Sequence, residues 1–119
     1  MKMDYFVFGT NNKVRAAAFY DVFFEGSGIS KIYSEGRMVV WAGNQFMFGI
    51  AEPFNGEPAT NGNGTMLGLN VGSAEAVERL YQKALDMGGQ SEGEPGLRSG
   101  RHAAYVRDLD NNKLCLYAM

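Results

Sequence analysis

The sequence predicts an α+β protein of one domain, built from two tandem strand-helix-strand-strand-strand (βαβββ) modules. Three observations predict it. The length is 119 residues, enough for one domain with its own core. An amphipathic helix signal recurs at an offset of 61 residues, from Tyr20 to Tyr81. A strand-turn-strand pattern then recurs behind each helix. The first module is expected over about residues 1–50, a connecting loop over about 51–64, and the second module over about 65–119.

The elements can be justified in chain order. "YFVFGT" (Tyr5–Thr10) is an apolar run that leads into a helix, and the 61-residue offset lays it on "MLGLNV" (Met66–Val71). Asn12 is a natural N-cap, and Ala16, Phe19, Tyr20, Phe23 and Phe24 form one helical face that ends before Gly26 and Gly28. "SKIYSE" (Ser30–Glu35) and its counterpart "GQSEGEPG" (Gly89–Gly96) are the weakest strands, with little alternation. "RMVVWAGNQFMFGI" from Arg37 reads as two strands around a polar turn. "AEPFNGEPATNGNGT" is rich in Gly, Pro and Asn and reads as the connecting loop. The second helix has Ser73 as N-cap, Glu75 in its first turn, a face of Val77, Leu80, Tyr81, Ala84 and Leu85, and a stop at Gly88-Gly89. "RHAAYVRDLDNNKLCLY" from Arg101 closes the chain as a second strand-turn-strand. Aligning Asn44 with Asn112 sets Met47 against Cys115, and matching Arg37 with Arg101 makes Trp41 and Tyr105 repeat-related aromatics.

Composition excludes several functions. The chain is 45% hydrophobic and 20% charged, with a formal net charge of −2 and no cluster of Lys or Arg longer than two. Nucleic acid and anionic membrane are therefore not expected partners. One cysteine cannot form an internal disulfide. No secretion signal or membrane-length apolar run is present, so a cytoplasmic location is expected. Asn63-Gly64-Thr65 then reads as a chance match to a glycosylation acceptor. "EGSGISK" (Glu25–Lys31) lacks the Lys-Ser/Thr pair of a phosphate loop, and no Ser-His-Asp or zinc spacing occurs.

"GTNNKVRAAAFYDVFF", "FNGEPATNGNGT" and above all "AAYVRDLDNNKL" resemble the vicinal oxygen chelate superfamily, the glyoxalase, bleomycin-resistance and extradiol dioxygenase group. The family's terminal hairpin usually carries Asp-Pro-Asp-Gly-Asn at its turn. Here Leu109 stands for the Pro and Asn111 for the Gly, and Asn tolerates the left-handed conformation such a turn needs. The resemblance implies curved sheets with helices on their convex sides and a cleft on their concave sides. In metal-using members, His and Glu from each module bind a divalent cation there. It also implies a homodimer, which would cover sheet edges and exposed aromatic surface.

Strand alternation then selects the side chains that face the cleft. With Leu67, Leu69 and Val71 under a helix, Met66, Gly68 and Asn70 face inward; by the same reasoning Tyr5 and Met47 do so, and Cys115 with Lys113 and Tyr117. Tyr5, Met47, Met66 and Cys115 thus occupy the positions that the resemblance assigns to metal ligands, with Tyr5 and Met66 for His and Met47 and Cys115 for Glu. Thioethers, a phenol and one thiol are poor donors to Zn, Ni, Fe or Mg. No metal, cofactor or catalytic residue is therefore expected. The Met and Cys side chains suit either an apolar pocket wall, the preferred reading, or a Cu(I) site. Cys115 as a nucleophile would need His102, the sole histidine, within reach; a structural thiol is the plainer role.

His102 and Arg98, in "GLRSGRH", are expected at the cleft mouth, either as ordinary loop charges or to attract a polar ligand group. Asn70 is expected in the cleft as an orienting group. For Trp41 and Tyr105 core packing is the plainer role, with ligand stacking, which places Trp41 among the cleft residues, as the alternative. The leading expectation is a metal-independent protein that encloses a small apolar or aromatic molecule. A lyase, isomerase or dioxygenase of the glyoxalase group with an atypical site is the alternative, and an interaction module with a self-filled cleft is a third.

Overall fold

A computed structural model describes all residues from Met1 to Met119. The chain divides into two units, Met1–Thr60 and Asn61–Met119. The first contains β1 (Tyr5–Gly9), α1 (Lys13–Phe23), β2 (Ser30–Glu35), β3 (Met38–Ala42) and β4 (Met47–Ala51). The second contains β5 (Leu67–Asn70), α2 (Ala74–Asp86), β6 (Gln90–Arg98), β7 (Arg101–Arg107) and β8 (Lys113–Ala118). Each is a βαβββ module, so the expected duplication is present, including both weakly patterned strands.

The two sheets share one topology, β1-β4-β3-β2 in the first unit and β5-β8-β7-β6 in the second. The opening strand runs parallel to the last strand of its unit, and the remaining pairs are antiparallel. A parallel pair needs a crossover, which the helix and the two intervening strands supply.

Both helices begin where their capping residues dictate. The Asn12 side chain accepts from the Arg15 backbone N–H at 3.0 Å, and the Ser73 hydroxyl from that of Ala76 at 3.1 Å. Thr10, fully buried, holds the approach to α1 by accepting from the Asn12 N–H at 3.0 Å. The buried faces match the expected ones, except that Leu85 is half-buried and Ala76 joins the second face.

The core of the first unit is aromatic. Tyr20 lies 4.6 Å, centroid to centroid, from Phe48 and 5.9 Å from Trp41, and Phe24 packs against both. The Trp41 indole donates to Asp21 Oδ1 at 3.0 Å, while Asp21 Oδ2 pairs with Lys31 at 2.9 Å. That satisfies the one polar atom the indole carries into the core. The second unit fills the same space with aliphatic side chains: Val77, Leu80, Val106, Leu114 and Leu116.

The last hairpin turns as the sequence indicated, with Asn111 in the left-handed region at φ 67°. Buried Asp108 organises it. Its Oδ1 accepts from the N–H groups of Asp110 and Asn112 at 2.9 Å each, and its Oδ2 from the Asn112 amide at 3.0 Å.

Gly89 is the tightest glycine in the chain: a Cβ there would lie 2.6 Å from the Arg107 carbonyl oxygen and 2.8 Å from that of Ala84. Neither backbone oxygen can rotate away, so Gly89→Ala is expected to cost about 3 kcal/mol. Gly96→Ala, where a Cβ meets nothing within 4 Å, should change stability by less than about 0.5 kcal/mol. Urea denaturation of the two variants checks the contrast.

Candidate functional site

In each unit the helix covers one face of the sheet and leaves the other without a helix. On the first sheet that second face forms a hollow of about 240 Å³, lined by Tyr5, Val7, Met38, Val40, Met47 and Gly49. Strand register explains the set. Tyr5 pairs with Met47 and Val7 with Gly49 across β1 and β4, and Val40 pairs with Gly49 across β3 and β4. Alternate residues, Phe8, Val39, Trp41, Phe48 and Ile50, are buried in the core. Gly49 forms the floor. A Cβ on it would make ordinary contacts, 3.4 Å from Val7 Cγ2 and 3.6 Å from Val40 Cγ2. The only polar side-chain atom in the lining is the Tyr5 hydroxyl.

The hollow lies between a 150 Å³ cavity that holds benzene and the about 300 Å³ at which ligand pockets begin. Met38 and Met47 stand four residues apart along the sheet, roughly 13 Å, because Met38 pairs with Ala51 and Ala42 with Met47. The two methionines therefore border the hollow from well-separated backbone positions.

The helix-free face of the second sheet is built differently. Cys115 sits opposite Gly68 on β5 and Tyr105 on β7, with Lys113 and Tyr117 on either side of it along β8. Met66 precedes β5 and is exposed. Cys115 itself is buried among these neighbours. Glu92 receives a 2.9 Å hydrogen bond from Arg107 Nε. That bond and the Arg107 charge hold its carboxyl below the usual carboxylate range, with slight burial opposing and the Lys113 charge adding to the effect.

Several sequence expectations are corrected by the register. Trp41 does not face the hollow; it is 1% exposed and packs on the α1 side with Tyr20, Phe24 and Phe48. Its structural counterpart is Val106, and that of Tyr105 is Val40. The match of Arg37 with Arg101 that paired Trp41 with Tyr105 is one residue out. Beyond these strands the hairpins differ too, the loop after β3 holding residues 43–46 and the loop after β7 residues 108–112, one residue longer. Met47 likewise corresponds to Lys113, and Cys115 to Gly49, because Ala42 pairs with Met47 as Arg107 does with Lys113. Matching the two turns by their asparagines was two residues out on the last strands.

His102 is also displaced from its expected place. It shares the face of buried Ala104 and Val106, beneath α2, where its Nε2 lies 3.8 Å from Glu78 Oε1 and has no hydrogen-bond partner. Cys115 and His102 therefore point to opposite sides of the sheet, and the histidine cannot activate the thiol. Asn70 is on the helix-free face, exposed, and accepts from the Gly72 N–H at 3.1 Å in a local turn. Arg98 is on that face too, with its guanidinium 5.3 Å from the Tyr105 ring centroid.

Of the four positions expected to match the family's metal ligands, Tyr5, Met47, Met66 and Cys115, the repeat register sets Gly49 rather than Met47 against Cys115. A phenol, a hydrogen atom, a thioether and a thiol do not fit a divalent cation, which needs carboxylates or imidazoles. No group of three or more His, Cys, Asp or Glu side chains is placed to hold a metal ion anywhere in the chain.

Solved structures share this fold. A glyoxalase/bleomycin resistance protein from Albidiferax ferrireducens T118 is 31% identical over 98% of both chains, with a TM-score of 0.92. A glyoxalase/bleomycin resistance protein/dioxygenase family enzyme from Burkholderia phytofirmans PsJN is 20% identical over 99% of this chain and 98% of that one, with a TM-score of 0.82. Lactoylglutathione lyase from Agrobacterium tumefaciens is 16% identical over 98% and 92%, with a TM-score of 0.72. At these lower identities the likeness is one of fold alone. No family model matches the sequence, and no curated protein does.

Because the sheet separates His102 from Cys115, His102→Ala should leave the rate of Cys115 alkylation by iodoacetamide unchanged across pH 6 to 9 (roughly the span of histidine and thiol titration). A fall in rate confined to the variant would show that the two side chains communicate.

Proposed function

This chain belongs to the glyoxalase/bleomycin resistance/dioxygenase family, the vicinal oxygen chelate superfamily, and from that premise we propose that it is a metal-independent binding protein for a small apolar or aromatic molecule. The observation that carries the reading is the hollow on the first sheet, whose floor is Gly49 and whose walls are Tyr5, Val7, Met38, Val40 and Met47. A glycine floor lets a flat ring approach the backbone, two thioethers supply polarisable contacts to its edge, and Tyr5 supplies a ring and one hydroxyl. Apart from the Tyr5 hydroxyl the lining offers no hydrogen-bonding side chain, and it holds no carboxylate or imidazole to act as a base or to fix a metal-bound water, so the face is suited to holding a molecule rather than to transforming it.

Binding by such a surface draws on apolar area removed from water, at about 25 cal/mol per Å². It should therefore be insensitive to chelators and weakly sensitive to salt. We further propose a homodimer: β2 is an edge strand exposed along its whole length, with Ile32 and Tyr33 uncovered. Sedimentation equilibrium showing a monomer at micromolar concentration would remove that part.

The principal test uses a neutral fluorescent aromatic, N-phenyl-1-naphthylamine, titrated into the protein with and without EDTA. Saturable binding unaffected by EDTA is expected, and Gly49→Val, whose methyl groups rise into the hollow, should weaken it about tenfold, the effect of about 1.4 kcal/mol. Retained binding in that variant would sink the assignment of the site. Turnover of the methylglyoxal–glutathione hemithioacetal by metal-supplemented protein would overturn the non-enzymatic reading itself.

A further inference from the structure

The segment between β4 and β5 carries three Asn-Gly pairs: Asn55-Gly56, Asn61-Gly62 and Asn63-Gly64. Asparagine is a thermally labile residue, and a following glycine makes it more so, because the reaction that removes its amide is internal. The glycine backbone nitrogen attacks the asparagine side-chain carbonyl carbon, and glycine has no side chain to hinder the approach. A bond forms between that nitrogen and Cγ, the Cγ–Nδ2 bond breaks, and ammonia leaves carrying the proton that the backbone nitrogen gave up. Water then opens the cyclic imide at either carbonyl and leaves aspartate or isoaspartate. Folding controls whether the nitrogen and the side chain are free to meet.

The three pairs differ in that freedom. The Gly56 nitrogen is committed, since it donates to the Pro53 carbonyl at 3.1 Å. The Asn55 side chain is committed as well: its Oδ1 accepts from the Glu57 N–H at 3.0 Å. Ring closure at Asn55 must first break both bonds. Asn61 is half-buried and Gly62 is crowded, for a Cβ on Gly62 would lie 2.8 Å from Thr65 Oγ1 and 3.5 Å from Thr65 Cβ. Asn63, in contrast, is exposed, and a Cβ on Gly64 would meet nothing within 4 Å. Neither the Asn63 side chain nor the Gly64 nitrogen makes a hydrogen bond. One 3.2 Å bond, from the Thr65 N–H to the Gly62 carbonyl, spans the pair, on an exposed turn where water competes for it. The clamp on the earlier part of the segment stops short of it. Ala59 makes two bonds with the Asn11 side chain, at 2.7 and 3.2 Å, and the chain next enters a sheet at Leu67.

We propose that Asn63 is a site of spontaneous covalent modification, where the native chain closes a succinimide with Gly64 and converts to aspartate and isoaspartate, while Asn55 is protected by its turn. Isoaspartate routes the main chain through the side-chain carbon, so it adds a methylene to the backbone just ahead of β5. Either product adds a negative charge. This chemistry is independent of the hollow on the first sheet.

Incubation at mildly alkaline pH, followed by digestion and tandem mass spectrometry, tests this, with a zero-time digest to subtract conversion during handling. Fragment ions locate the amide-to-acid mass gain at each asparagine. In the native protein Asn63 is expected to convert fastest, and Asn55 at least about tenfold more slowly, a difference of about 1.4 kcal/mol in the barrier. In urea-unfolded protein the advantage of Asn63 over Asn55 should vanish, because the bonds that protect Asn55 are gone. Asn63→Gln, which would have to close a larger and slower-forming ring, should remove most of the acidic isoform seen by isoelectric focusing. The position is exposed and its side chain makes no hydrogen bond, so the variant should fold as the parent does. Native Asn55 or Asn61 converting as fast as Asn63, an intact Asn63 under conditions where the unfolded chain converts, or one and the same ratio of Asn63 to Asn55 in folded and unfolded protein would each overturn the proposal.

Discussion

Each four-stranded sheet in this protein has one helix, and a pleated strand sends its side chains alternately to two faces. That pairing of facts decides where every candidate residue lies. Phe8, Trp41, Phe48 and Ile50 lose their exposure by packing on the α1 side, each burial stabilising the fold by about 1.5 to 3 kcal/mol. Tyr5, Val7, Met47 and Gly49 are sent to the other face as a consequence. A slip of one residue would exchange the two sets and forfeit several such burials at once, so the core fixes the register. The apolar hollow is the complement of a packed aromatic core.

The parts of the fold that were legible in the sequence are those whose pattern the core dictates. Both helices showed their faces and caps, and Asn111 showed its left-handed turn because the residues around it leave few other conformations. The edge strands β2 and β6 were hardest to read. All six residues of β2 are exposed, so no burial imposes alternation on it, and β6 carries irregular pairing between Ser91 and Gly93 and again between Gly93 and Gly96. Which side chains face away from the helix was legible on β1, β5 and β8, where alternation was anchored by runs such as Leu114 and Leu116. It was misread on β3 and β7. There, matching Arg37 with Arg101 set Trp41 against Tyr105, one residue off the observed register and so across the sheet. His102 was misplaced for a related reason: as a lone polar residue at the start of β7, it gives no hint of its face until Ala104 and Val106 are known to be buried.

The repeated units keep one topology and have parted in chemistry on both faces. Beneath α1 the space is filled by rings; beneath α2 it is filled mainly by Leu, Val and Ala, with Tyr81 as the buried ring. On the opposite faces, Met47 corresponds to Lys113, Val40 to Tyr105 and Gly49 to Cys115. One sheet therefore offers a neutral hollow and the other a cationic, ring-lined surface. A protein with two equal faces would present one kind of recognition twice. These two faces differ by the charge and hydrogen-bonding capacity of Lys113, Arg101 and Arg98.

The same correspondence bears on how the donor set of this chain compares with that expected of a metal-binding member of its family. A chelating site of the family kind draws on two positions in each unit. In the first unit those positions are Tyr5 and Gly49, and a glycine has no donor to offer. In the second they are Met66 and Cys115, of which only the thiol forms a strong bond to a borderline metal such as zinc. Replacing one residue would not restore a site, because a single carboxylate at position 49 would meet a phenol on its own sheet and leave the ion short of ligands. At least three of the four positions would have to change together. During such a change the intermediate chains would bury a carboxylate among Val7, Val40 and Met47 without a partner, at a cost of several kcal/mol. The apolar hollow thus weighs against a stepwise change to a metal site at these positions.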